Sequence, residues 1–279
     1  MTLPQDFDFS QSNLQDYLDC PYRFYMRYIR RIKWPALVVD DALDFEQRSQ
    51  SGARFHRLVQ QYLLDIPENR LSDLAEADPN PAVITWWEDF QKSVPTLLNG
   101  ERFIEATLTA HLAGMHLLAK YDLILADQNG NLTIFDWKTS RKKPRKEWLL
   151  DRVQTRLYRW ILNQAGAALI DKGAIKPEQI SMIYWFTASP DAPVVLPYNQ
   201  SGSEKDHAYF LNLVEEIQAR PEQDFARTQD SKKCRYCIYR SHCDRGVEAG
   251  DFDSYDDFNE ALDESALDID FESIPEIEF

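Results

Sequence analysis

Apolar residues recur at helical spacing in the first part of the chain. A helix is predicted to begin at Ser10 or Ser12, because a serine hydroxyl can cap a first turn, and to run to about Ile32 before Pro35. This helix carries the first cysteine, Cys20. A second helix is indicated by apolar residues that lie three, four, seven and eight positions apart on one face: Phe55, Leu58, Val59, Tyr62 and Leu63.

The hydrophobic period changes in the middle of the chain. Residues 67–82, rich in Pro, Asn and Asp, are predicted to form a loop, and residues 83–98 a third helix. From Ile104 to Trp137 short apolar and β-branched runs alternate with turn signals at 113–114 and 128–131. Three antiparallel strands are therefore expected here.

The order of the remaining elements indicates the fold class. Helical spacing returns at 150–161, a buried strand is predicted at 180–186, and a last helix at 204–219. Helices, a strand meander, a helix, a strand and a helix together predict an α/β fold with a central mixed β-sheet flanked by helices. We expect one domain over 1–246, followed by an acidic, disordered tail over 247–279.

The net charge of −15 is unevenly distributed. Residues 247–279 contain 13 acidic residues and no Lys or Arg, which leaves 33 acidic against 31 basic residues, a net charge of −2, in the rest of the chain. The tail is therefore either a solvated, solubilising segment or an autoinhibitor that mimics a polyanionic ligand and occupies a basic cleft of the same protein. No run of 18 apolar residues occurs, and no basic region precedes an apolar run at the start, so we expect a soluble, cytoplasmic protein without a membrane partner.

Basic residues are concentrated in three clusters. Such clusters are often only solvated faces, but they also suit phosphate contacts, above all where aromatic residues are interleaved. The three clusters are Arg23, Arg27, Arg30, Arg31 and Lys33; Lys138, Arg141, Lys142, Lys143, Arg145 and Lys146; and Lys232, Lys233, Arg235, Arg240 and Arg245.

Candidate chemistry begins with an Asp-Trp-Lys sequence at the end of a predicted strand. Asp136 and Lys138 emerge on one face because side chains alternate along a strand, and Trp137 points to the other. The pair is either a surface ion pair or part of a phosphodiester-hydrolysing site, in which the carboxylate binds a divalent cation and the lysine serves water. Asp122, on the preceding strand of the predicted hairpin, lies in an apolar setting where an unpaired carboxylate is costly.

Two further polar residues follow the central basic cluster. Gln154 and Tyr158 are four residues apart and so lie on one face of the predicted helix, where they either line the site or form an ordinary polar edge.

The chain contains four cysteines: Cys20, Cys234, Cys237 and Cys243. The last three have Cys-x2-Cys-x5-Cys spacing, and in a cytoplasmic protein such a set indicates a metal centre rather than disulfides. Four thiolates suit tetrahedral zinc or a 4Fe-4S cluster, and the spacing alone does not distinguish them. Either centre would join the N- and C-terminal segments.

The motifs together resemble the RecB-like and AddB-like branch of the PD-(D/E)XK nuclease superfamily, including its CRISPR-associated iron–sulfur exonucleases. Ser12-Asn13-Leu14 with Tyr17, then Cys20-Pro21-Tyr22-Arg23-Phe24, resembles the opening helix of that branch. Gly52-Ala53-Arg54-Phe55-His56 resembles its Gly-x-x-x-His motif. Asp122, Asp136-Trp137-Lys138-Thr139 and the stretch from Gln154 to Tyr158 resemble the acidic motifs and the Gln-x-x-x-Tyr motif.

The resemblance implies a restriction-endonuclease-like core and a metal-dependent deoxyribonuclease acting in repair, recombination or defence. His56, Asp122, Asp136 and the backbone carbonyl of Trp137 would bind Mg²⁺ or Mn²⁺, and Lys138 would serve the nucleophilic water. Gln154 and Tyr158 would steady the lysine or a flanking phosphate. The resemblance also favours 4Fe-4S over Zn²⁺ at the cysteines, and implies DNA, with single strands or duplex ends, and a helicase or other repair or defence protein as partners. The alternative is a non-catalytic module that binds DNA ends or acts as a scaffold.

Overall fold

The structure is a computed structural model of the chain, in which residues 3–4, 7–32, 42–170, 173–234 and 237–246 are described. Pro35, predicted to end the first helix, and the acidic tail over 247–279 lie outside the described residues. Within the described ranges no helix is both long and apolar enough to cross a membrane.

A six-stranded mixed sheet forms the centre of the molecule. Its strands are β1 (Asp8–Phe9), β2 (Glu101–Leu112), β3 (Met115–Ala126), β4 (Leu132–Lys138), β5 (Ile180–Phe186) and β6 (Val194–Pro197). One edge of β3 pairs with β2 along its length, while β1 and β4 pair with the first and last parts of β3. The pairs β1–β3 and β4–β5 are parallel and the others antiparallel. The predicted mixed sheet and three-strand meander are confirmed.

Helices cover both faces of the sheet. They are α1 (Gln11–Asp19), α2 (Pro21–Phe24), α3 (Ala42–Leu63), α4 (Glu68–Glu76), α5 (Ala82–Ser93), α6 (Lys146–Asp151), α7 (Val153–Ala165) and α8 (Gln200–Ala219). A first core joins one sheet face to α1, α6, α7 and α8, as at Leu14, Leu157 and Phe210. A second core joins the other face to α3, α4 and α5, with Trp87 and Trp137 fully buried in it. The predicted α/β class with flanking helices is therefore confirmed.

The predicted first helix is interrupted at Cys20. Ser10 caps α1 as predicted, but Cys20 is extended, with φ −160° and ψ 103°, and Pro21 begins α2. Proline disfavours helical backbone in the residue before it and suits the first position of a new helix, so the break follows from Cys20-Pro21. The chain then continues through a π-helical turn over Tyr25–Ile29.

The prediction of a loop over 67–82 is wrong in its first half. Helix α4 occupies Glu68–Glu76 and buries Leu71 and Ala75, which lie one turn apart against α3 and α5. The apolar stripe is only two residues wide, and the flanking Pro, Asn and Asp residues favour a turn. This helix is stabilised by tertiary packing, so the pattern of its own sequence does not predict it.

The N- and C-terminal segments contact each other directly. Backbone N–H of Tyr22 donates to the carbonyl of Ala226 at 3.1 Å, and the hydroxyl of Tyr239 donates to the carbonyl of Ile32 at 2.8 Å. Lys233 Nζ lies 3.3 Å from a carboxylate oxygen of Asp19. The two ends of the folded region are therefore held side by side by protein contacts.

Candidate active site

Strand register brings the two predicted acidic positions together. Leu123 of β3 pairs with Phe135 of β4, so the next opposed positions along the two strands are Asp122 and Asp136. The hairpin predicted from the sequence thus places both carboxylates on adjacent strands.

The regular alternation of β3 breaks at Asp122. Tyr121 faces the first core, Leu123 the second, and Ile124 the first again. Glu105, opposite Asp122 on β2, has φ 51°, a left-handed conformation that is uncommon for a residue other than glycine. Backbone irregularities of this kind are concentrated at functional sites, and this one lies where β4 begins to pair with β3.

Asp136 is the most enclosed member of the site, with 4% of its surface exposed. One of its carboxylate oxygens accepts a 2.7 Å hydrogen bond from Gln154 Nε2, and the other lies 2.9 Å from Lys138 Nζ. Removal of one partner from a buried pair leaves an uncompensated charge, which costs about 3–5 kcal/mol. The sequence predicted that Gln154 would steady the lysine or a phosphate, whereas in the structure its side chain contacts the carboxylate.

Asp122 is fixed by the backbone of the neighbouring strand. The N–H of Trp137 donates to Asp122 Oδ2 at 2.9 Å, and the same oxygen lies 3.8 Å from Nδ1 of His56. The ring of Trp137 packs against Phe90 and Phe135 in the second core, on the opposite face from Asp136 and Lys138 as predicted.

Gly52 allows α3 to approach the end of β4. A Cβ atom at this position would lie 2.9 Å from Oγ1 of Thr139, the residue after Lys138. Cβ atoms in proteins essentially never come so close to another atom. The steric restriction at this position therefore explains why the Gly-x-x-x-His sequence has a glycine there. This contact sets where His56, one turn further along α3, stands relative to Asp122.

Tyr158 is buried one turn beyond Gln154. Its ring lies 4.9 Å from that of Tyr121, whose hydroxyl donates to the backbone carbonyl of Tyr158. Burial raises the pKa of Tyr121 well above its ordinary value, so this hydroxyl stays protonated. Tyr158 thereby joins α7 to the residue preceding Asp122.

The sequence did not identify two residues beside Lys138. The ammonium lies 5.8 Å from the centre of the Tyr184 ring, and the Tyr184 hydroxyl is 2.8 Å from Oγ1 of Thr155. Tyr184 is opposite Asp136 in the β4–β5 pairing. A polar-tipped aromatic residue within a buried parallel strand is the signal that could have identified it.

The four cysteines are free thiols. Burial raises the pKa of Cys237 to about 11, an effect that Arg23 opposes and that Cys20 and Cys234 increase. Thr228 N–H donates to Cys20 Sγ at 3.4 Å, and Arg245 Nη1 lies 2.6 Å from Cys234 Sγ.

Among the described residues, no three His, Cys, Asp or Glu side chains are arranged to hold a metal ion. This holds for the cysteines and for the carboxylate site. The donor types nevertheless suit the predicted groups, because Mg²⁺ and Mn²⁺ prefer carboxylate oxygens and iron–sulfur clusters are held by thiolates.

A comparison with family models identifies the family of this chain. A family model for the PD-(D/E)XK nuclease superfamily matches residues 8–244. Among proteins of curated function, none matches the chain significantly.

Two solved structures align with most of the chain. The crystal structure of SSO0001 is 17% identical, with a TM-score of 0.34 over 83% of this chain and 93% of that chain. A "Putative exonuclease" from Eubacterium rectale is 11% identical, with a TM-score of 0.42 over 78% of this chain and 87% of that chain. Because the family model spans most of its length, the chain belongs to the PD-(D/E)XK nuclease superfamily.

Proposed function

We propose that the protein is a metal-dependent nuclease that hydrolyses DNA phosphodiester bonds. The observation that carries the proposal is the double contact of the Asp136 carboxylate, with Lys138 Nζ at 2.9 Å and Gln154 Nε2 at 2.7 Å, beside Asp122 on the adjacent strand. Membership of a superfamily whose proteins are generally nucleases supports the same conclusion.

The ligands of a divalent cation would be His56, Asp122, Asp136 and the backbone carbonyl of Trp137. A bound Mg²⁺ or Mn²⁺ would polarise the scissile phosphate and stabilise its developing negative charge. His56 Nδ1 and Asp122 Oδ2 are 3.8 Å apart, so these two donors are close neighbours.

Lys138 would position the attacking water and assist removal of its proton. Attack of that water on phosphorus breaks the bond to one deoxyribose oxygen, which takes up a proton and leaves as a hydroxyl, while the other product keeps a terminal phosphate. Gln154 would hold the Asp136 carboxylate in place through its amide N–H, and Tyr158 would fix α7 beside Asp122.

Substitution of the two central residues tests the proposal. Asp136→Ala and Lys138→Ala should each abolish cleavage of labelled single- and double-stranded DNA in Mn²⁺ or Mg²⁺. Asp136→Asn, which keeps the side-chain shape, should do the same, and thermal unfolding should show that each variant is folded. Asp73→Ala, on the exposed face of α4, is the matched control. Undiminished cleavage by a folded Asp136 or Lys138 variant rules out this site.

A non-catalytic module that binds DNA ends or acts as a scaffold is the alternative function. It predicts that the unaltered protein binds DNA but cleaves none in either metal. The retained Asp122, Asp136, Lys138 and His56 favour catalysis, because only cleavage requires all four side chains together. Within the catalytic proposal, we favour a RecB-like exonuclease that works in repair, recombination or defence alongside a helicase or similar partner.

We also propose that Cys20, Cys234, Cys237 and Cys243 hold a 4Fe-4S cluster, with Zn²⁺ as the less favoured occupant. The hydrogen bond between Tyr22 and Ala226 and the ion pair between Asp19 and Lys233 support a shared centre, because both join residues next to Cys20 to the C-terminal segment. So does the 3.4 Å hydrogen bond from the Thr228 N–H to Cys20 Sγ, which lies between Cys20 and the C-terminal segment. The centre would stabilise the junction of the two ends by closing a long loop.

Anaerobic purification distinguishes the two occupants. A cluster predicts a brown protein with absorption near roughly 400 nm and iron and sulfide in the sample. Cys237→Ser should remove that absorption, and Asp73→Ala should keep it. A colourless protein with stoichiometric zinc would instead establish the zinc alternative.

A further inference from the structure

The segment 139–153 begins and ends at the candidate active site. It joins Lys138 to Gln154, and both of these residues contact the carboxylate of Asp136. A substrate held at Asp136 would therefore have both ends of this segment next to its scissile phosphate. The charge and side-chain types of this segment should therefore complement the part of the substrate that flanks the reacting phosphate.

The segment is strongly basic within an acidic chain. It carries two acidic residues, Glu147 and Asp151, and six basic ones: Arg141, Lys142, Lys143, Arg145, Lys146 and Arg152. All the basic residues but Arg152 are exposed. A positive segment of this kind suits a nucleic-acid backbone, whose affinity comes largely from phosphate contacts.

An arginine and a tryptophan form a cation–π contact at the end of this segment. The guanidinium of Arg152 lies 4.6 Å from the centre of the Trp148 ring, and Trp148 is half-buried against the first core. None of the described residues forms an ion pair with Arg152, whereas the next arginine along α7, Arg156, is held by Asp206 at 2.6 Å. The positive charge of Arg152 therefore lies beside an aromatic ring and, among the described residues, is not held by a carboxylate.

We propose that this segment binds single-stranded DNA beside the scissile phosphate, with an unpaired nucleobase stacked on the Trp148–Arg152 pair. The inference rests on the proposed nuclease function and adds a substrate preference to it. Nucleobases stack on aromatic rings and on guanidinium planes, but a base inside a duplex already has both faces covered by its neighbours. The pair thus selects single strands, while the surrounding lysines and arginines bind phosphates of either form.

Binding measured without cleavage tests the proposal. Fluorescence anisotropy in metal-free buffer compares a labelled single strand, the matching duplex and a single strand of abasic sites. Trp148→Ala and Arg152→Ala should each weaken single-strand binding by on the order of tenfold, as expected for one lost stacking contact. Arg152→Lys keeps the charge but loses the flat guanidinium, so it should behave like Arg152→Ala.

Duplex and abasic affinities should change less than about twofold in the Trp148 variant, because neither substrate offers an open base. Trp86→Ala and Arg70→Ala, which remove residues of the same types from α5 and α4, should leave all three affinities unchanged, and thermal unfolding should confirm folding. Equal losses on normal and abasic strands, or on single strands and duplexes, would overturn the stacking proposal. Selective binding by a protein that cleaves nothing would instead contradict only the nuclease function.

Discussion

Lys138 is enclosed by a carboxylate and an aromatic ring. Its ammonium lies 2.9 Å from Asp136, faces the ring of Tyr184 at 5.8 Å, and is only 11% exposed. Tyr184 is fixed in turn by the 2.8 Å hydrogen bond between its hydroxyl and Thr155. The direction of the lysine therefore depends on a tyrosine that does not itself belong to the proposed set of catalytic residues.

Tyr184→Leu should lower kcat by about tenfold or more while KM for DNA changes little. The ring of Tyr184 restricts the ammonium near its productive position, and small misplacements of a catalytic group are costly. Tyr184→Phe is the matched variant, because it keeps the ring and loses only the bond to Thr155, so its kcat should stay closer to that of the natural protein. Steady-state kinetics on a short DNA substrate measure both constants, and equal kcat values for the two variants would contradict this role.

At the residue scale the sequence indicates candidate site residues but not the contacts between them. Asp122, Asp136 and Lys138 could be selected because a carboxylate in an apolar strand is unusual and because the Asp-x-Lys sequence stands at the end of the next predicted strand. The contact of Gln154 with Asp136 could not be predicted, since it depends on how α7 crosses the sheet. The position of Tyr184 has the same origin, because parallel pairing of β4 with β5 joins residues 48 positions apart.

At the scale of elements, α3 approaches the end of β4 closely at Gly52. An alanine at Gly52 would favour the helix by about 1 kcal/mol but would place its Cβ 2.9 Å from Thr139 Oγ1. Either Thr139 rotates or the helix shifts, and a shift of α3 also moves His56.

Gly52→Ala should therefore destabilise the protein by about 1–2 kcal/mol and reduce cleavage. In a Thr139→Ala background the same substitution should become neutral or stabilising, because the oxygen that causes the clash is absent. Chemical denaturation of both single variants and the double variant gives the coupling energy, expected at about 1–3 kcal/mol. If the changes in unfolding free energy of the two single variants simply add in the double variant, Gly52 and Thr139 are not in steric contact in the way proposed.

Elements with strong periodic patterns were predicted, and short ones were not. The meander over 101–138 and the strand 180–186 have clear alternation or continuous apolar runs, and both are present. Strand β1 has two residues and β6 has four, so neither offers a measurable period. Each is stabilised by pairing to an existing strand, which is a property of the assembled sheet.

At the scale of the whole molecule, charge is divided between the folded region and the tail. The net charge of −15 is almost entirely that of residues 247–279, since the remainder carries −2. An attached polyanion lowers the affinity of any basic surface for DNA, whether by repelling DNA at a distance or by occupying the surface itself.

Deletion of 247–279 should strengthen DNA binding several-fold at about 0.01 M salt, where the Debye length is about 30 Å. At about 0.15 M salt that length falls to about 8 Å, so a merely solvated tail should lose its effect, whereas a tail bound as a DNA mimic should keep part of it. Anisotropy measured in metal-free buffer at both salt concentrations separates these two interpretations.

A full-length variant whose tail acids are replaced by Asn and Gln is the control, because it removes the charge and keeps the chain. It should match the deletion if charge alone acts. Equal affinities of the natural and truncated proteins at low salt would show that the tail influences DNA binding in neither way, and would restrict its role to solubility.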